Sequence, residues 1–109
     1  MLVEMLQAKI RYAHVTESNP EYKGSVTIDE DLMDEMGVLP FQRCEVNSMS
    51  GFRGFTYIIP GKRGSGCVGA NGALAAHILK GDIIHINVFC LLSKESAHGH
   101  TPIIIESNQ

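Results

Sequence analysis

Between Leu6 and Thr16 apolar and polar residues alternate. Ala8, Ile10 and Tyr12 fall on one face and Lys9, Arg11 and Ala13 on the other, which predicts a strand with two cations on one side. Asn19-Pro20 marks a turn, and Ser25 to Ile28 reads as a short strand. Asp29 is placed to cap a helix, with Glu30 and Asp31 in the first turn, where acids suit the helix dipole. Leu32, Met33 and Met36 form its apolar stripe, and Gly37 ends it. Arg43 to Met49 is a strand with Cys44 and Val46 on one face. Ser50-Gly51 turns the chain, and Phe55 to Ile59 returns until Pro60-Gly61 stops it.

Beyond the glycine-rich Arg63 to Gly66, Cys67 to Ala70 is a short extended piece. Asn71 is placed to cap a second helix, Gly72 to Lys80, closed by Gly81. Asp82 to Leu92 is a long β-branched strand, and Pro102 to Glu106 a last edge strand. The order helix, glycine, strand occurs twice, in DLMDEMGVLPFQRCEV and LAAHILKGDIIHINV. Two similar halves, many short strands and two short helices predict a mainly β, closed small barrel with pseudo-twofold symmetry.

The 109 residues make one domain, 44% hydrophobic, and 19% charged residues are too few for a disordered chain. So short a chain has a high surface-to-volume ratio, which oligomerisation relieves, and an active site can then lie between subunits. The net charge of -3, with Lys62-Arg63 the only adjacent basic pair, argues against a nucleic-acid footprint. No apolar run approaches the ~20 residues of a membrane span. MLVEMLQAKIR has neither a basic start nor a small-residue cleavage site, so no signal peptide or membrane partner is expected. Cys44, Cys67 and Cys90 are odd in number and lack CxxC spacing, which points to packing roles in a reducing cytoplasm.

Several motifs invite chemistry. His98-Gly99-His100 pairs two imidazoles, but His14, His77 and His85 lack ligand spacing, so no metal is expected and the pair reads as exposed loop residues. GKRGSG lacks the Ser or Thr that a phosphate loop needs after GK, and reads as a tight turn. Asn71-Gly72-Ala73 is either an anion site at a helix start or a plain cap. Arg53 has the geometry to grip a carboxylate in two-pronged fashion, and Tyr57 can supply a proton, although each type more often does surface or packing work. Gly24-Ser25, inside EYKGSVTID, is either an ordinary bend or a bond meant to break, and that stretch alone does not decide.

Taken together, these pieces resemble one family, the small pyruvoyl-dependent aspartate 1-decarboxylases. The carrying residues are MLQAKI at 5–10, VT at 15–16, YKGSVTIDEDL at 22–32, then Gly51, Arg53, Thr56 and Tyr57. Arg63-Gly64, NGA at 71–73 and GDI at 81–83 complete them in family order. The resemblance implies a double-psi β-barrel, a homotetramer with active sites between subunits, and self-cleavage between Gly24 and Ser25. Residues 1–24 become a β chain and residues 25–109 an α chain. Ser25 becomes a covalent pyruvoyl group, the only cofactor implied, on which the substrate amine forms a Schiff base before carbon dioxide leaves.

The implied roles follow residue by residue. Ser25 and Tyr57 are catalytic, with Tyr57 as proton donor. Gly24, Ser25 and Thr56 serve self-cleavage. Lys9, Arg53, Thr56, Gly72, Ala73 and Leu74 bind substrate, with Arg11 and Asn71 as secondary candidates. Two cations suit a dicarboxylate, hence L-aspartate to β-alanine, associated with pantothenate biosynthesis. The resemblance leaves open whether a maturation factor speeds the cleavage.

Four departures bear on the substrate. Arg11 stands where the family often has His. The chain is one residue shorter around Val46-Asn47, where a Trp or another bulky residue is common. Leu74 replaces a small residue, and Phe52 and Gly54 flank Arg53. The alternatives are the same chemistry on another amino acid, or a non-cleaving homologue that binds a carboxylate. Retention of Gly24, Ser25, Thr56 and Tyr57 together argues against the second.

Overall fold

The computed structural model describes residues 1–109. The N-terminal alternation forms β1 (Leu2–His14), antiparallel to β7 (Ile83–Ser93). Ala8 and Ile10 are buried as predicted, but the facing reverses at Tyr12. Arg11 and Tyr12 together span the single step between the Ile10–Ile86 and Ala13–Ile84 pairs, and Tyr12 sits at φ +50°. This bulge adds one residue, so Ala13 enters the core and Tyr12 turns outward, 44% exposed. A period-two pattern carries no mark of such an insertion.

The remaining elements are β2 (Glu17–Asn19), β3 (Ser25–Asp29), α1 (Glu30–Met36), β4 (Arg43–Ser48), β5 (Arg53–Gly61), β6 (Val68–Asn71), α2 (Lys94–His98) and β8 (Ile103–Ile105). One sheet runs in the order β2-β6-β3-β5-β4-β7-β1-β8, with β2–β6, β3–β5 and β1–β8 parallel. It surrounds a single core of 20 buried residues drawn from both halves of the chain. The protein is thus mainly β, a small barrel-type domain with two short α-helices.

α1 forms as read: Asp29 accepts from the Asp31 amide at 2.8 Å, Met33 and Met36 are buried, and Gly37 closes the helix at φ +71°. The second helix does not. Gly72–Ala76 is a 3-10 turn, and Asn71 makes no capping bond because its side chain is engaged elsewhere. The second α-helix is instead α2, capped by Ser93 accepting from the Ser96 amide. Pro60-Gly61 does not stop β5. At that end β5 pairs only with β3, so the missing proline N–H lies on an open edge.

The internal repeat is visible in hydrogen bonds. Gln42 Oε1 accepts from the Leu39 amide at 3.1 Å, and Asp82 Oδ2 accepts from the Leu79 amide at 2.8 Å. Phe41 (φ +71°) and Gly81 (φ +93°) hold matching left-handed positions. These two turns feed β4 and β7, which lie side by side and antiparallel.

Of the three cysteines, only Cys44 is fully buried, and burial pushes its thiol up to about 12. Cys67, just before β6, and Cys90, on β7, are half-buried. His98 is exposed, but His100 is half-buried and its Nε2 donates to the Leu6 carbonyl at 2.6 Å. No group of three or more His, Cys, Asp or Glu side chains has metal-holding geometry, and no helix is long and apolar enough to cross a membrane.

Candidate active site at the start of strand β3

Ser25 opens β3, paired with Asn71 of β6, while Val26 pairs in parallel with Ile58 of β5. Ser25 is 1% exposed and sits at φ +114°, a region that side chains rarely adopt. Such a conformation costs roughly 1–3 kcal/mol. Burying Val26, Ile28 and Ile58 completely contributes about 1.5–3 kcal/mol each, so the strand burial outweighs the strain and holds it.

Three neighbours determine where the Gly24–Ser25 peptide lies. Asn71 Nδ2 donates to Ser25 Oγ at 3.2 Å and to Thr27 Oγ1 at 2.8 Å. That is the engagement that removes Asn71 from helix capping. Gly72, at φ +63°, packs directly on the loop. A Cβ there would lie 2.7 Å from both the Cα and the N of Gly24, and 3.0 Å from the Tyr22 carbonyl. The parallel β3–β5 register, carried back from Val26–Ile58, brings Tyr57 and Thr56 alongside Ser25 and Gly24.

Gly24, Ser25, Thr56, Tyr57, Asn71, Ala73 and Leu74 border one cleft of roughly 410 Å³. Tyr57 is 38% exposed and lies 6.3 Å from the Phe41 ring, centroid to centroid. Sequence reasoning missed three further lining residues: Phe52, Phe55 and His77. Phe52 stacks on His77 at 5.0 Å and an interplanar angle of 18°. Gly54 is what admits it, since a Cβ on Gly54 would come within 2.8 Å of the Phe52 ring. The unusual Phe52 and Gly54 beside Arg53 were the available signal, and their consequence is an aromatic wall.

Neither predicted cation is among the residues lining this cleft. Arg53, on β5, is exposed and donates through Nε to Asn47 Oδ1 at 3.0 Å. Lys9 is three strands away, in the row Lys9–Asn87–Glu45–Phe55 across β1, β7, β4 and β5. At ~4.8 Å per strand that is roughly 14 Å. Arg11 pairs with Glu106 at 3.3 Å, an exposed contact of little energetic weight. Beside these two cations, His85 Nδ1 accepts from the Tyr12 amide at 3.1 Å. Its pKa is pulled down by burial and then by Lys9 and Arg11.

The glycine-rich loop is a turn that already holds an anion, the protein's own Asp29. Asp29 accepts from the Gly66 amide at 2.8 Å and the Gly64 amide at 3.1 Å. Burial pushes this carboxyl up, but the amides of Gly66, Asp31 and Gly64, with Arg63 nearby, hold it below the ordinary range. Arg63 in turn contacts Asp34 at 2.6 Å, Asp31 at 2.8 Å and Glu30 at 3.1 Å.

The family model described as aspartate decarboxylase matches residues 1–109. A Bacillus licheniformis protein named aspartate 1-decarboxylase is 44% identical, covering 96% of this chain and 84% of its own length. The protein of that name from Caldicellulosiruptor saccharolyticus is 45% identical over 96% of this chain and 83% of its own. One from Hyphomonas neptunium is 41% identical, with 96% and 90% covered. The chain belongs to the aspartate decarboxylase family.

Proposed function

We propose that the protein cleaves itself between Gly24 and Ser25 and then converts L-aspartate to β-alanine and carbon dioxide. The observation that carries this reading is Ser25 itself. Its hydroxyl is buried, its backbone is strained at φ +114°, and its peptide lies against a glycine that leaves no room for a side chain. In the cleavage, Ser25 Oγ attacks the Gly24 carbonyl carbon and the C–N bond breaks to leave an ester; elimination then frees the Gly24 carboxylate, and hydrolysis with loss of ammonia leaves the pyruvoyl group. Asn71 holds Oγ in place, Thr56 steadies the developing oxyanion, and the break releases the strain stored at Ser25.

Residues 1–24 stay attached afterwards. β1 keeps ten paired positions with β7, and β2 keeps three with β6. The residues around Ser25 fit the pyruvoyl group expected there, because the cleft opens beside it and a Cβ on Gly24 would meet nothing within 4 Å. That group supplies an electron-withdrawing carbonyl that accepts the electrons left by departing carbon dioxide. Tyr57, on the cleft wall, holds the proton that replaces the carboxylate. Ala73 and Leu74 offer backbone amides at the start of the 3-10 turn.

Arg53 and Lys9 are the carboxylate-binding cations in this reading. Lys9 lies too far across its own sheet to reach the cleft, so it serves a neighbouring copy, in a homotetramer with sites between subunits. Exposed Phe41, Phe55 and Tyr57 supply apolar contact surface beside the cleft.

The test pairs a denaturing mass spectrum with an aspartate assay. Two chains, 1–24 and a pyruvoyl-headed 25–109, with β-alanine formed, are expected. The Ser25→Ala protein should stay whole and inactive. A wild-type chain that stays intact while still producing β-alanine would overturn the reading. The apolar walls of Leu74, Phe52 and Phe55 favour a second reading, the same chemistry on an apolar amino acid. Faster turnover of methionine or leucine than of aspartate would select it.

A further inference from the structure

The outer face of the β1–β7–β4–β5 sheet carries a polar chain centred on Glu45. Its Oε1 accepts from Asn47 Nδ2 at 3.1 Å and from Asn87 Nδ2 at 3.0 Å. Both amides are thereby held with their oxygens turned away from Glu45. The Asn47 oxygen receives Arg53 Nε–H at 3.0 Å. The Asn87 oxygen, in a residue only 8% exposed, has no partner, and Asn87 stands directly opposite Lys9 in the β1–β7 ladder. Neither Glu45, Arg53 nor Lys9 forms an ion pair within the chain.

We propose that Glu45 and Asn47 are positioning residues that aim Arg53 for substrate carboxylate binding. The inference rests on the reading of Arg53 above. A guanidinium binds a carboxylate bidentately only when its plane is fixed. Asn47 takes up Nε and leaves both terminal nitrogens free. Glu45 fixes which way the Asn47 amide faces, because a flipped amide would set its oxygen against a carboxylate and its N–H₂ against the Arg53 donor. A carboxylate directly on Arg53 would neutralise it and compete with substrate. An amide interposed between them transmits orientation without forming that ion pair.

Steady-state kinetics on aspartate test this, with the cleaved chains verified by mass spectrometry in every variant so that cofactor formation is scored separately. Asn47→Ala is expected to raise KM about tenfold or more, the worth of one hydrogen bond to a charged group, with a smaller change in kcat. Lysine has no Nε–H, so in an Arg53→Lys background the same substitution should change KM by less than about twofold. Glu45→Ala should raise KM, and Glu45→Gln, which keeps an acceptor oxygen, should raise it less. An equal effect of Asn47→Ala in both backgrounds would mean a merely structural role and overturn the proposal. If Arg53→Ala itself leaves KM unchanged, the carboxylate role of Arg53 fails first and the positioning role falls with it. If Arg53→Ala raises KM while Asn47→Ala does not, only the positioning role fails.

Discussion

Replacing Gly72 by Ala separates two demands placed on one residue. The first is conformational: at φ +63° an alanine pays about 1–2 kcal/mol for left-handed backbone. The second is steric. The new Cβ would lie 2.7 Å from the backbone N and Cα of Gly24, atoms that cannot rotate away, so the loop carrying the scissile peptide must shift. Overpacking of this kind costs about 1–3 kcal/mol. The total of roughly 2–5 kcal/mol lies below the ~5–15 kcal/mol stability of a typical domain, so the variant folds at low temperature. Its melting temperature should fall by on the order of 10–30 °C. Self-cleavage should slow far more than stability alone dictates, because the displaced atoms belong to Gly24, whose carbonyl carbon Ser25 Oγ must reach.

Gly81→Ala is the control. It carries the left-handed term at φ +93°, but nothing lies within 4 Å of its Cβ, and it borders a different cleft. It should lose about 1–2 kcal/mol and cleave at the wild-type rate. The assay is thermal melting by circular dichroism beside a mass-spectrometric time course below both transitions. Equal cleavage rates for the two variants would refute the idea that Gly72 matters through its contact with Gly24.

Two further outcomes are expected. Asn71→Asp keeps the shape of the side chain but removes the N–H groups that reach Ser25 and Thr27, so cleavage should slow by about tenfold or more, read by mass spectrometry. A cleavage rate within twofold of wild type would remove Asn71 from the machinery. Asp29 has a folded pKa below its unfolded value of about 3.9, so its contribution is present above that value and lost as pH falls through the folded pKa. Asp29→Asn should therefore lower stability towards denaturant at neutral pH by about 1.5–3 kcal/mol. The gap to wild type should close as the pH falls below about 4, and a gap independent of pH would show that the charge is immaterial.

The period-two runs, the Asp29 cap with Gly37, and the doubled helix–glycine–strand order were enough to predict a mainly β domain with repeated halves. These are local signals, written in which side chains recur and which residues tolerate positive φ. The ordered motifs around Gly24-Ser25, Thr56-Tyr57 and Asn71-Gly72 likewise carried the family. What the sequence left open depends on contacts between distant segments. The bulge at Arg11-Tyr12 exists because β1 must follow β7, and it reversed the predicted facing of Tyr12 and Ala13. Asn71 looked like a helix cap, yet the hydroxyls of Ser25 and Thr27 compete for its amide and win, and the following turn tightens to 3-10. Phe52 and His77, which are 25 positions apart, meet only because Gly54 lets the ring fold back. Lys9 shares one face of the sheet with Arg53 but lies three strands from the side of the Ser25 cleft, since strand order, which no local pattern encodes, fixes that distance.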